Sequence, residues 1–86
     1  MAHRVRVFVR PKKGILDPQG KAVEGALKSM GYSSVKELRV GKLIEFNVDG
    51  NAPSAKVEAT VREMSEKLLS NPIIEQYAVE IEPLTE

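Results

Sequence analysis

The sequence predicts an α+β fold: a two-layer sandwich in which an antiparallel sheet carries two helices on one face, in the order β-α-β-α-β, with the middle strand long and bent at Gly41. Three observations predict it. Val5, Val7 and Val9 alternate with Arg4, Arg6, Phe8 and Arg10, the period-two pattern of a half-buried strand. Asp17-Pro18 and Pro53-Ser54 each open a run whose apolar residues recur at helical spacing. Between those runs, the stretch 35–48 keeps Leu38, Val40, Ile44, Phe46 and Val48 on even positions, with Lys42 the exception on that face from Leu38 to Val48.

An 86-residue chain is expected to form one domain, residues 1–86. At this size it buries a modest share of its surface, which makes oligomerisation a natural source of further burial. A hydrophobic share of 42% with 29% charge fits a soluble globular protein, and a net charge of +1 supplies no general drive toward nucleic acid or anionic membrane. The absence of cysteine excludes disulfides and a cysteine-based metal site. No apolar run approaches a membrane span, and the start Met-Ala-His-Arg lacks the apolar core of a signal peptide, so the expected compartment is the cytoplasm.

The first strand runs from Arg4. Its arginines and Phe8 admit a reading as an RNA face, but such a sheet would carry aromatics on more than one strand, and the chain has two Phe and two Tyr. A solvated or partner-facing surface accounts better for the pattern. Pro11-Lys12-Lys13-Gly14 breaks the strand. The first helix follows over 18–30, with Asp17 as N-cap, Pro18 at the first helical position, and Gly31 as the left-handed terminator. Its stripe is Ala22, Val23, Ala26, Leu27 and Met30. Gly20 and Gly25 lie inside it at a cost of about 1 kcal/mol each, for which close packing is the natural reason. Gly20-Lys21 is not a phosphate-binding Walker loop, because Ala22 stands where Ser or Thr is required.

A hairpin with Gly41-Lys42 as its loop would set Arg39 opposite Ile44 and Leu38 opposite Glu45, mixing charge with apolar side chains on both faces. A three-residue loop centred on Gly41 keeps parity and stays open, although it pairs Lys36 with Phe46. The favoured reading is one strand of about 14 residues, roughly 46 Å long, with Gly41 as a bend or bulge. Asp49-Gly50-Asn51 ends it. In the second helix Val57, Val61, Met64 and Leu68 form the apolar stripe, Glu58–Arg62 and Glu63–Lys67 form i,i+4 pairs, and Met30 and Met64 read as core filler. Asn71-Pro72 stops the helix. The last strand points Tyr77, Val79 and Ile81 inward and Gln76, Ala78, Glu80 and Glu82 outward. If it neighbours the first strand, Arg4 and Arg6 can pair with Glu80 and Glu82.

Groups suited to catalysis are scarce. His3 is the sole histidine and is expected in a frayed terminus; six serines have no histidine base beside them, and the carboxylates read as solvated charge on helix faces and strand exteriors. No catalytic, cofactor-binding or metal-binding residue is identified. The residues therefore point to a binding or assembly module.

Four segments, Leu16-Asp17-Pro18-Gln19-Gly20-Lys21-Ala22, Met30-Gly31-Tyr32, Leu38-Arg39-Val40-Gly41-Lys42, and the run from Glu66 through Asn71-Pro72-Ile73-Ile74-Glu75-Gln76 to Tyr77, together resemble the PurS family, the small subunit of phosphoribosylformylglycinamidine synthase. The resemblance spans about Val5 to Ile81. It departs at Gly25 and in the loop Asn51-Ala52-Pro53. It implies a part in de novo purine synthesis, in a ligase complex (EC 6.3.5.3) that uses ATP, Mg and glutamine, none of them bound by this chain. The implied partners are a glutaminase subunit, a large ATP-dependent synthase subunit and a second copy of the chain, as a homodimer or a tetramer of paired dimers. The implied role is non-catalytic: bridging those subunits and sheltering the ammonia path. The implied fold is two-layer, with ferredoxin-like subdomains formed in the dimer. Candidate contact residues are Arg39, Gly41 and Lys42 at the bend, Asp17, Gln19 and Lys21 at the start of the first helix, and Asn71, Glu75 and Tyr77 near the last turn. For Asp17, Gly41, Asn71 and Tyr77 a structural role competes: cap, bend, helix stop and core. The rival readings are a ferredoxin-like regulatory module binding a small ligand and an RNA-binding module; no nucleic acid or membrane partner is expected.

Overall fold

In the computed structural model, which describes residues 2–84, the order is β1 (Ala2–Pro11), α1 (Pro18–Ser29), β2 (Lys42–Val48), α2 (Ser54–Met64) continuing into a π-helical turn (Ser65–Leu69), and β3 (Glu75–Leu84). The strands form one antiparallel sheet in the order β2-β1-β3. β1 is central because both of its edges are used. Its inward valines sit in cross-strand rows: Phe46–Val5–Ile81, Ile44–Val7–Val79 and Lys42–Val9–Tyr77. Val5, Val7 and Val9 are completely or almost completely buried, and each contributes about 2 kcal/mol of apolar burial. On the outer face Arg4 reaches Glu82 at 3.7 Å, and Arg6 reaches Glu82 at 3.6 Å and Glu45 at 3.0 Å. The ladder between β1 and β3 thus carries the anticipated arginine–glutamate pairing through Glu82, while Glu45 of β2 joins from the other side.

The inner face is covered by α2. Val57 and Val61 are buried against the valine rows, with Ile44, Phe46, Val48, Leu69 and Tyr77 packed around them. The expected stripe changes after Val61. Ser65 is buried in place of Met64, which is 38% exposed, and Leu68 is 82% exposed. The π turn explains the change. Ser65 Oγ donates to the Val61 carbonyl, and the amide and hydroxyl of Ser70 both donate to the Ser65 carbonyl, each at 2.8 Å. Hydroxyl back-bonding of this kind bends helices, and the i→i+5 turn adds a residue that brings Leu69 back over the sheet.

Within one protomer, the face expected to carry two helices carries α2 alone. No α1 side chain belongs to the core, and of the helix only Gly20 is buried. Three strands set ~4.8 Å apart span about 10 Å, which is the packing width of a single helix. Met30, expected as core filler, is 70% exposed. Asp17 and Gly31 do terminate α1 as anticipated, the latter at φ 102°.

The predicted long strand is realised over its second half. β2 begins at Lys42, and residues 35–41 belong to no ladder. β1 explains the boundary: the antiparallel register past Val9–Lys42 leads to Pro11, which has no N–H to donate. The chain makes no hairpin at Gly41, since β2 pairs with β1. His3 is not frayed: it lies in β1 opposite Val48 and Pro83, buried, with no partner for Nδ1 among the described residues.

Candidate functional site

The candidate residues converge on one end of the sheet, where β1 finishes and β2 and β3 begin. Cross-strand pairs place Lys42 and Tyr77 on either side of Val9, and Glu75 opposite Pro11. Lys42 completes the innermost row at this end with a charge, and it is exposed because it sits at the first position of its strand.

Around this end, α1 and residues 38–41 are tied together. Asp17 caps α1: Oδ1 accepts from the Gly20 amide at 3.0 Å, while Oδ2 accepts from the Val40 amide at 2.9 Å. Two turns along the same helix, Glu24 Oε1 accepts from the Leu38 amide at 2.8 Å, and its other oxygen lies 3.4 Å from Lys28 Nζ. Arg39 Nη1 donates to the Pro11 carbonyl at 3.1 Å. These bonds favour the charged carboxylates. The Gly20 amide first, then that of Val40, holds Asp17 below the usual carboxylate range, with Gln19 and Arg39 adding to it against partial desolvation. For Glu24 the leading cause is the Leu38 amide, with Lys28 assisting. Gly20 and Gly41 let the backbones meet. A Cβ on Gly20 would stand 2.8 Å from the Leu38 carbonyl oxygen, and one on Gly41 would overlap that of Val9.

Three open grooves run together here. One of about 520 Å³ lies between the β1–α1 loop and residues 37–39, with Lys12, Lys13, Lys21 and Arg39 on its walls. The second, about 680 Å³, shares Arg39 and adds Phe8, Arg10, Lys42, Leu43 and Glu80. Tyr77 links it to the third, about 460 Å³, which returns to Lys12 past Glu75. In that third groove the Tyr77 hydroxyl donates to Glu66 Oε1 at 3.1 Å, and the Arg62 guanidinium stands 5.9 Å from the ring centre. Asn71 and Glu75 close the turn before β3: Asn71 Oδ1 accepts from the Ile73 amide and Glu75 Oε1 from that of Asn71, at 3.2 and 2.7 Å. Gln19 lies exposed in the first turn of α1.

All nine sequence-derived candidates therefore surround one end of the molecule, though Asp17, Arg39, Asn71 and Glu75 spend their side chains on the chain's own backbone. Glu24 went unrecognised; read as a solvated helix-face charge, it is a backbone ligand. Glu66 and Arg62, the partners of Tyr77, were likewise read as surface charge. Among the described residues no group of three His, Asp or Glu could hold a metal ion, and no helix is long and apolar enough to cross a membrane. Chemically, such an end offers paired charges, exposed lysines and an aromatic edge, which suit surface recognition.

Comparison with known proteins bears on what is recognised. The family model described as PurS, phosphoribosylformylglycinamidine (FGAM) synthase, matches residues 4–83. The PurS subunit of phosphoribosylformylglycinamidine synthase from Bacillus subtilis is 42% identical over 80 residues, 93% of each chain. The subunit of the same name from Methanocaldococcus jannaschii is 35% identical over 82 residues, 95% of this chain and 98% of that one. The structure of B. subtilis PurS superposes with a TM-score of 0.81 over 94% of this chain and 99% of that chain, again at 42% identity. A chain in the structure of PurLQS from Thermotoga maritima superposes with a TM-score of 0.84 at 29% identity, covering 95% and 99%. With the β-α-β-α-β topology shared along nearly its whole length, the chain belongs to the PurS family and is a PurS subunit of phosphoribosylformylglycinamidine synthase, EC 6.3.5.3, in purine biosynthesis.

Proposed function

We propose that the chain acts in the cytoplasm as the non-catalytic assembly subunit of this synthase, binding a glutaminase subunit and a large ATP-dependent subunit and sheltering the ammonia path between them. The observation that carries the reading is the likeness to a chain within the PurLQS structure, at a TM-score of 0.84 over 95% of this chain. ATP, Mg and glutamine belong to the other subunits in this reading. Contacts to those subunits run through the end of the sheet, with Arg39, Gly41, Lys42, Gln19 and Lys21 on the exposed side and Asp17, Asn71, Glu75 and Tyr77 shaping it. Self-association is part of the proposal. The stripe of α1 has no sheet of its own, with Val23 and Met30 exposed, and residues 38–41 belong to no ladder. A second copy supplies what both lack.

Reconstitution tests the proposal. The chain, the glutaminase and the large subunit are mixed with glutamine and Mg-ADP and passed over a sizing column; co-elution of all three and a rise in glutamine-dependent amidination are expected. Separate elution with no gain in glutamine-dependent activity would sink it.

A further inference from the structure

We infer that Asp17 and Glu24 are positioning residues for the self-association surface: these two α1 carboxylates replace the missing strand partner of residues 38–40 and hold that segment out for a second copy of the chain. The inference rests on the dimer reading above. In extended chain the amides of alternate residues point to the same side, and those of Leu38 and Val40 both end on α1, at Glu24 Oε1 and Asp17 Oδ2. By that alternation the intervening Arg39 amide and carbonyl turn the other way, toward any strand that pairs with this edge.

Three further features serve the same end. Gly20 lacks the Cβ that would meet the Leu38 carbonyl, so helix and segment lie in contact. The Arg39 guanidinium is fastened to the Pro11 carbonyl, which ties the segment to the end of β1. Glu37 adopts φ 54°, the one left-handed non-glycine residue among those described, and turns the chain into the clasp. Such strain persists where surrounding contacts determine it, and the two carboxylates on the residues that follow are those contacts.

Asp17 separates this role from capping. Asn equals Asp as an N-cap, but the Gly20 and Val40 amides bind different oxygens of Asp17, and Asn with its oxygen on Gly20 turns an NH₂ donor toward the Val40 amide, so Asp17→Asn spares the helix and releases the segment. Glu24→Ala removes the second bond, and Glu24→Gln keeps an acceptor at the same reach. The readouts are amide hydrogen exchange at Leu38 and Val40 and the dimer dissociation constant by sedimentation equilibrium. Expected are about tenfold faster exchange at Val40 in Asp17→Asn and at Leu38 in Glu24→Ala, a comparable weakening of the dimer, unchanged helical circular dichroism, and recovery in Glu24→Gln. A wild-type dimer whose exchange and dissociation constant are unmoved by Asp17→Asn and Glu24→Ala overturns the inference. A wild-type chain that stays monomeric overturns the dimer reading itself.

Discussion

Gly20 and Gly41 stand where two stretches of backbone come too close for a side chain, and Gly25 does not. An alanine methyl at Gly41 would run into the Val9 carbonyl, and one at Gly20 into the Asp17 carboxylate and the Leu38 carbonyl, whereas nothing lies within 4 Å of the corresponding point at Gly25. Gly20→Ala and Gly41→Ala should each cost about 1–3 kcal/mol in urea unfolding, while Gly25→Ala should stabilise by about 0.5–1 kcal/mol through helix propensity. Close packing, the expected reason for both helix glycines, thus holds for one. The carboxylates set a pH dependence. Asp17 and Glu24 titrate below their ordinary values, so over the acid range the folded chain binds fewer protons than the unfolded one. Their stabilisation is complete above the unfolded carboxylate range, near pH 5, and fades as pH falls through the lowered native values. Urea midpoints should accordingly drop between about pH 5 and pH 3, and less steeply in Asp17→Asn; equal slopes would argue that the Gly20 and Val40 amides do not lower Asp17. Asp17 was legible as a cap because Asp-Pro is a local signal. Its second oxygen was not, since the partner amide lies 23 residues away, nor was Glu24, whose spacing to Lys28 looks like an ordinary surface pair.

At the level of elements, local signals located the starts and stops, while faces were harder. Both helix starts and the strand parity of β1, β2 and β3 follow from spacing alone, and the valine rows bear out that parity. The second helix misleads after Val61 because a stripe read at α-helical spacing cannot foresee a π turn. Two serines bonded to carbonyls supply the signal, and serine in a helix is compatible with many geometries. Val61→Ala should cost about 2 kcal/mol, because it empties a fully buried site at the centre of the core. Leu68→Glu, in the predicted stripe but 82% exposed, should move protomer stability by no more than about 0.5 kcal/mol. Thermal unfolding of the two variants distinguishes the observed stripe from the predicted one; a large loss in Leu68→Glu would restore Leu68 to the core. The missing half of the long strand has a similar cause. Parity reports which face a residue prefers, and Leu38 and Val40 keep it, but a ladder also needs a neighbour, and β1 ends at Pro11.

The whole protomer is elongated, 50 × 30 × 14 Å, with a radius of gyration of 16.5 Å. A compact chain of this length would have about 12 Å. The excess is α1 and the segments around it, which extend beyond a sheet wide enough for one helix. An apolar stripe on a helix is evidence of burial, and the sequence correctly marks α1 as such a helix; it cannot say whose sheet does the burying. If a second copy does, stability belongs partly to association, and the melting temperature should rise with protein concentration. A paired substitution isolates the cause. Val23 and Met30 are 43% and 70% exposed in the protomer, so Val23→Lys with Met30→Lys costs the isolated chain little, about 0.5 kcal/mol or less per site. In a dimer closed over α1, the same lysines would be driven into apolar surroundings without partners, at several kcal/mol each. The double variant should therefore sediment as a folded monomer at concentrations where the wild type is a dimer, lose the concentration dependence of melting, and no longer raise glutamine-dependent synthase activity. Retained dimers would place the contact elsewhere and leave the exposure of α1 to be explained by the glutaminase or the large subunit. Monomers that still support full activity would separate self-association from assembly of the synthase.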